Sequence, residues 1–274
     1  MVYNGPYEVF TEKRRPVDAA ISAFRLVYNK EDTSKVFRVI AALDGPALEM
    51  GFKRFASTPY GQHLLAERTC LRETLMRHDW LASLPEGSLG RAYYDFMAAE
   101  GLTADGFQEE MNRTGETFEA AGPERRYFLY RMRHAHDLIH VLTGYGRDAI
   151  GELSILQFTA NLGANKMPKG KLHNAGVKLI VLTGWLKARR MYARFSMDRC
   201  LAEAKELGAN AKSLFLAPWE DLLPQPLEAV RATYRIGRPD FYLSMKSALA
   251  DFDVMRRAQL AAKAHKKTQT AEAA

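Results

Sequence analysis

Apolar positions recur at three- and four-residue intervals along most of the chain, and alternating apolar and polar runs bounded by turn residues are scarce. That period belongs to helices with one buried face. It predicts helices near 16–29, 32–43, 45–56, 60–78, 88–100, 104–114, 123–143, 148–164, 172–207, 225–235 and 240–264. Breakers separate them, among them Thr58-Pro59, Leu84-Pro85, Gly122-Pro123, Gly144 to Gly146 and Leu223-Pro224. No fixed-period repeat and no long linker divides the series. The pattern therefore predicts an all-α fold, a single multi-helix domain over residues 1–274, with a frayed basic tail over 262–274.

Two predicted helices stand out. Residues 123–143 place Phe128, Met132, Ala135, Leu138 and Leu142 on one side. Residues 172–207 contain LIVLTGWL and then turn basic, with Lys187, Arg189, Arg190, Arg194 and Arg199. A greasy helix that becomes basic suits a surface element facing lipid. A core helix running into a solvated end has the same pattern.

Composition narrows the classes. Of 274 residues, 47% are hydrophobic and 26% charged, as in soluble globular domains. The net charge of +7 serves solubility or an anionic membrane surface. Nucleic acid is set aside because no binding motif accompanies the charge. Cys70 and Cys200 form no C-x-x-C pair, which excludes a cysteine metal site. No apolar run is long enough to span a bilayer, and the first residues lack a signal-peptide core. These features predict a cytoplasmic protein, peripheral on the inner face of the cytoplasmic membrane.

The densest chemistry lies in HAHDLIHVLTGYGRDAIGE, residues 134–152. His136 and His140 are four apart, so a helix puts both imidazoles on one face. That spacing is a helical metal clamp. Asp137 lies about 100° around the helix. It can reach an ion from the edge of that face or orient an imidazole. Gly144 to Gly146 stops the helix, and Asp148 is a good N-cap for the next. His140 lies six residues before Gly146 and Glu152 six after it, so an antiparallel helical pair turning there brings them level. Gly151 would let the second helix approach closely. Unpaired, such groups cost several kcal/mol to bury, about 2–7 each. A divalent ion offsets that, as would a hydrogen-bonded polar cluster. His134 points roughly 160° away from the His136 face.

Other metal motifs fit poorly. A zincin needs H-E-x-x-H, and Asp137 is one methylene short. Di-iron bundles need E-x-x-H from two helices.

The stretch RMRHAHDLIHVLTGYGRDAIGELSILQF resembles the H-D-x-x-H-x11-E signature of the ubiquinone (coenzyme Q) biosynthesis protein Coq-four (Coq4) family. STPYGQHLLAERTCL, LPEGSLGRAYYDFM and ELGANAKSLFLAPWEDLLPQPLEAVRATYRI are similar to further segments of that family, so the likeness covers about residues 35–240. Thr69 departs from the proline common there.

The resemblance implies an all-α fold and a divalent metal ion, usually zinc, held by His136, Asp137, His140 and Glu152. Two imidazoles with carboxylates equally suit iron, manganese or cobalt. It also implies peripheral membrane attachment, with polyprenylated quinone precursors and other ubiquinone-biosynthesis proteins as partners; a homodimer is allowed. Two roles follow. One is an enzyme that removes the ring carboxylate at C1 of a prenylated hydroxybenzoate and installs a hydroxyl, with dioxygen as oxidant. The other is a non-catalytic lipid-binding scaffold for the pathway enzymes. For the enzyme, Arg133, one turn before His136, is a candidate clamp for the substrate carboxylate. An apolar channel lined by Leu138, Leu142, Ile155, Phe158, Ile180, Leu182 and Trp185 would hold the tail.

Overall fold

The computed structural model describes residues 49–101, 122–162 and 175–272. Among the described residues every regular element is helical, and one isolated antiparallel bridge joins Ser88 to Pro226. The expected helices at 16–29, 32–43 and 104–114 lie outside these residues. Of 45–56, residues 49–56 are described and helical.

Helix α1 (Pro59–Glu67) starts where Thr58 caps it: the Thr58 hydroxyl accepts from the Gly61 N–H, with Pro59 in the first turn. The sequence suggests one helix from 60 to 78, but the chain breaks at Arg68, which is left-handed with φ 56°. Its side chain is held by the Pro123 carbonyl at 3.1 Å and by Glu124 at 2.7 Å. That outside contact favours a conformation which local periodicity does not report. The short helices α2 (Leu71–Leu75) and α3 (His78–Ser83) follow, then α4 (Leu89–Ala99), capped by Ser88.

Helix α5 (Pro123–His134) leads through Ala135 into α6 (His136–Thr143). Helix α7 (Ala149–Ala160) buries itself chiefly against α9 (Met197–Asn210) and α8 (Ala175–Ala188), while α6 packs on α4. Helices α10 (Trp219–Leu222), α11 (Leu227–Tyr234) and α12 (Asp240–Glu272) complete the described chain. The helical backbone of α12 runs beyond 262, the expected start of a frayed tail.

The expected single helix over 172–207 is interrupted. Helix α8 ends at Ala188, a short 3-10 turn covers Ala193–Phe195, and Ser196 is left-handed with φ 44° before α9 begins. The cause is aromatic. Tyr192 and Phe195 both turn into the core, each with its ring centroid 5.4 Å from that of Phe252. Burying two rings so close in sequence against one partner demands a bend. Residue Leu182, expected beside an apolar channel, instead points outward at 51% exposure.

Two clusters form the interior. The larger contains Leu138, Leu142, Ile155 and Phe158, all fully buried. The smaller joins Phe52, Phe55, Leu64, Leu65 and Phe128. Arg131 of α5, 5% exposed, makes two contacts of 2.6 Å with Glu220 of α10. Tyr60 of α1 donates its hydroxyl to the same carboxylate at 3.0 Å. Three distant segments thus meet at one ion pair. Burial works against charge on Glu220, but Arg131 outweighs it and holds the carboxyl below the usual range.

Replacing Glu220 with Gln leaves the buried guanidinium without its counter-charge and should lower stability by about 3 kcal/mol at pH 7. A depressed carboxylate pKa gives stability that is present above the unfolded value and lost on acidification. The gap between wild type and Glu220→Gln should therefore narrow below about pH 4. Urea unfolding across pH measures this; equal stability at pH 7, or a gap that does not narrow in acid, would contradict it.

Candidate metal centre

Helix α6 ends at Gly144, which takes φ 84° and returns its N–H to the His140 carbonyl at 2.8 Å. Residues 145–148 then reach the cap of α7, where one oxygen of Asp148 accepts from the Ile150 and Gly151 N–H groups at 3.0 and 2.9 Å. Gly151 has no room for a side chain. A Cβ there would lie 2.1 Å from the Gly146 carbonyl oxygen. The close approach expected of Gly151 is thus to the loop's own backbone. It folds the first turn of α7 under the loop and delivers Glu152 to the histidines.

The rings of His136 and His140 lie 4.7 Å apart, nearly perpendicular. His140 is buried, and its Nδ1 lies 3.0 Å from the Tyr145 carbonyl. A carbonyl can only accept, so Nδ1 carries a proton and Nε2 is the ring atom left to face an ion. That Nε2 is buried with no hydrogen-bond partner among the described residues. It faces Glu152 Oε1 at 3.6 Å, and His136 Nε2 faces Glu152 Oε2 at 3.8 Å. Asp137 Oδ1 lies 3.4 Å from His136 Nδ1. Donor atoms of His136, Asp137 and His140 all lie within 4.8 Å of one another. Two donors sharing a tetrahedral ion at about 2.1 Å would stand about 3.4 Å apart. The spacing and the donor chemistry fit a divalent cation.

The electrostatics agree with that fit. Burial opposes ionisation of Glu152, yet His140, His136 and Arg147 hold its carboxyl below the usual range. Burial likewise opposes charge on Asp137, but the hydrogen bond and charge of His136 lower its pKa. For His136, burial disfavours the imidazolium, but Asp137 and Glu152 outweigh it and raise the ring's pKa. Two ionised carboxylates face the imidazoles. The site opens on the His136 side, whose side chain is 41% exposed, and Phe96 stacks on His140 at 5.8 Å.

The profile of one protein family, described as coenzyme Q (ubiquinone) biosynthesis protein Coq4, matches residues 7–240. The chain belongs to that family. It is 29% identical over 193 residues to the mitochondrial ubiquinone biosynthesis protein COQ4 of Yarrowia lipolytica, covering 70% of this chain and 67% of that one. The relative of that name from Eremothecium gossypii is 27% identical over 224 residues, or 80% of this chain and 63% of its own. The one from Coprinopsis cinerea is 26% identical over 193 residues, or 70% and 60%. The chain thus spans about two thirds or less of the length of these relatives. A crystallised chain from Nostoc punctiforme shares the fold, with a TM-score of 0.59, 17% identity, and coverage of 82% of this chain and 100% of that one.

In this Coq4-family chain further residues surround His136, Asp137, His140 and Glu152. His134, set aside by helix geometry, stacks on Tyr130 at 6.3 Å. Burial first, then the charges of Arg72 and Arg133, push its pKa down to about 4. The guanidinium beside the donors is Arg147, with Nε 3.8 Å from Glu152 Oε1 and its side chain 38% exposed. Sequence spacing around His136 did not single out Arg147. Its place in the short loop between the two donor-bearing helices is the signal that marks it.

Proposed function

We propose that His136, Asp137, His140 and Glu152 hold one divalent ion, and that the protein uses it to replace the C1 carboxylate of a polyprenylated hydroxybenzoate with a hydroxyl during ubiquinone biosynthesis. One observation carries this reading: the buried, unpartnered Nε2 of His140 aimed at the Glu152 carboxylate. Family membership supplies the pathway. Zinc is the ion the resemblance implies, and the donors suit iron, manganese or cobalt as well.

A bound divalent ion supplies Lewis acidity to a substrate oxygen. The chain's own side chains do the rest. Arg147 stands partly exposed beside Glu152 and offers a fork for the ring carboxylate. The exposed edge of His136 marks the side from which the ring enters. Phe96 shields His140 from water on its stacked face. In the overall change the C1–carboxyl bond breaks and carbon dioxide leaves, a C1–oxygen bond forms to an oxygen from water, and the two electrons released pass with two protons to dioxygen, giving hydrogen peroxide.

A second reading, the non-catalytic scaffold that organises the pathway enzymes, is favoured by the packing. Leu138, Leu142, Ile155 and Phe158, expected to line a channel, are fully buried in the larger apolar cluster. One experiment separates the two. Purified protein should carry about one divalent ion per chain by elemental analysis and should release carbon dioxide from a C1-carboxylated prenylphenol. His140→Ala should lose the ion and at least about a hundredfold in turnover, the loss seen when a group acting through a metal is removed. Metal without turnover would favour the scaffold. Protein without metal would contradict the enzyme reading and leave the scaffold.

The membrane seat we assign to α8. Leu182 and Leu186 lie one turn apart at 51% and 50% exposure, and the exposed Arg189 and Arg190 follow in the next turn. No helix among the described residues is long and apolar enough to cross a membrane. Apolar insertion flanked by cations holds a protein to an anionic surface. The protein should float with anionic liposomes at low salt. Replacing Leu182 and Leu186 together with Ser should weaken this at least about tenfold, since each buried leucine contributes roughly 1.5–3 kcal/mol. Flotation that is unchanged in the double variant would remove α8 from the account.

A further inference from the structure

The loop between the donor-bearing helices has two duties. Its Tyr145 carbonyl fixes the proton of His140, and its Asp148 caps the helix turn that presents Glu152. What fixes the loop comes from far along the chain. Tyr242, in the first turn of α12, is fully buried. Its hydroxyl oxygen accepts the Gly146 N–H at 2.8 Å, and its O–H donates to Asp148 Oδ2. The other Asp148 oxygen takes the two N–H groups of α7. One continuous chain of hydrogen bonds therefore runs from the loop backbone, through the phenol, to the start of α7. The Tyr242 ring also packs edge-on against Tyr145, with centroids 5.1 Å apart. Tyr242 is itself held from behind: Glu203 of α9 accepts from the Phe241 and Tyr242 N–H groups at 2.9 and 3.2 Å. It lies just past the residues matched to the family, 7–240.

We infer that Tyr242 is a positioning residue for the metal centre, setting the Tyr145 carbonyl and Glu152 in register with His136 and His140. The inference rests on the metal reading above. Groups that orient ligands from behind tune metal affinity, typically by about 10–100-fold when lost. Replacing Tyr242 with Phe keeps the ring and removes both hydrogen bonds. The Gly146 N–H is then left without its acceptor and Asp148 without a donor, so both ends of the loop can drift.

The test uses the full chain. Zinc affinity is measured by competition with a chelating dye, and the cobalt-loaded protein by its visible absorption bands. Tyr192→Phe is the comparator, since it removes another buried hydroxyl that donates to α12, at Asp253, 2.8 Å away. Tyr242→Phe should bind zinc at least about tenfold more weakly and shift the cobalt bands. Tyr192→Phe should lose thermal stability but bind zinc within about twofold of wild type, because it leaves the hydrogen bonds of Gly146 and Asp148 in place. Should Tyr242→Phe not fold, Asp148→Asn reads the same linkage and should weaken zinc binding in the same direction. Zinc affinity unchanged in Tyr242→Phe or Asp148→Asn, or weakened as much in Tyr192→Phe, would overturn the inference. A wild-type protein that binds neither zinc nor cobalt would overturn the metal reading itself, and this inference with it.

Discussion

The Nε2 atom of His140 is buried and has no hydrogen-bond partner among the described residues. Leaving such an atom dry costs about 1–3 kcal/mol. A chain that wanted only a stable core would place an apolar side chain here, against Phe96. Instead it sets a carboxylate 3.6 Å away, at a gap too long for a hydrogen bond and close to the spacing of two donors around one cation. The local architecture follows from keeping that gap. Gly144 ends one helix, Gly151 lets the next begin beneath the loop, and Tyr242 ties the loop down.

Charge makes the same case. Glu152 and Asp137 both stay ionised despite partial burial, because imidazoles and Arg147 stand beside them. Add a divalent cation, and the two carboxylates are balanced while Arg147 remains. A site with one residual positive charge, open on the His136 side, is suited to an anionic ring substituent. Away from the site, the ion pair of Arg131 and Glu220 does a different job, joining α1, α5 and α10 beside the smaller apolar cluster.

The helical period and the breakers made the all-α class legible, because a buried face writes itself into spacing. So did the i, i+4 histidines and the Asp148 cap, and counting six residues either side of Gly146 brought Glu152 to His140. Other features were not legible, for physical reasons. The break at Arg68 depends on Glu124 and the Pro123 carbonyl, more than fifty residues later. The bend before α9 depends on Phe252. Leu182 has the same hydropathy whether it lines a channel or faces outward, and only packing decides. Tyr242 is bound to the loop by hydrogen bonds that no local spacing encodes.

The central claim is that Nε2 of His140 and the Glu152 carboxylate share one metal ion. Diffraction from zinc-loaded crystals, collected on both sides of the zinc absorption edge, tests it most directly. The account predicts one strong anomalous peak per chain, about 2.0–2.2 Å from His140 Nε2 and from an oxygen of Glu152. A peak elsewhere, or none, with a water or a protein group hydrogen-bonded to His140 Nε2, would contradict it.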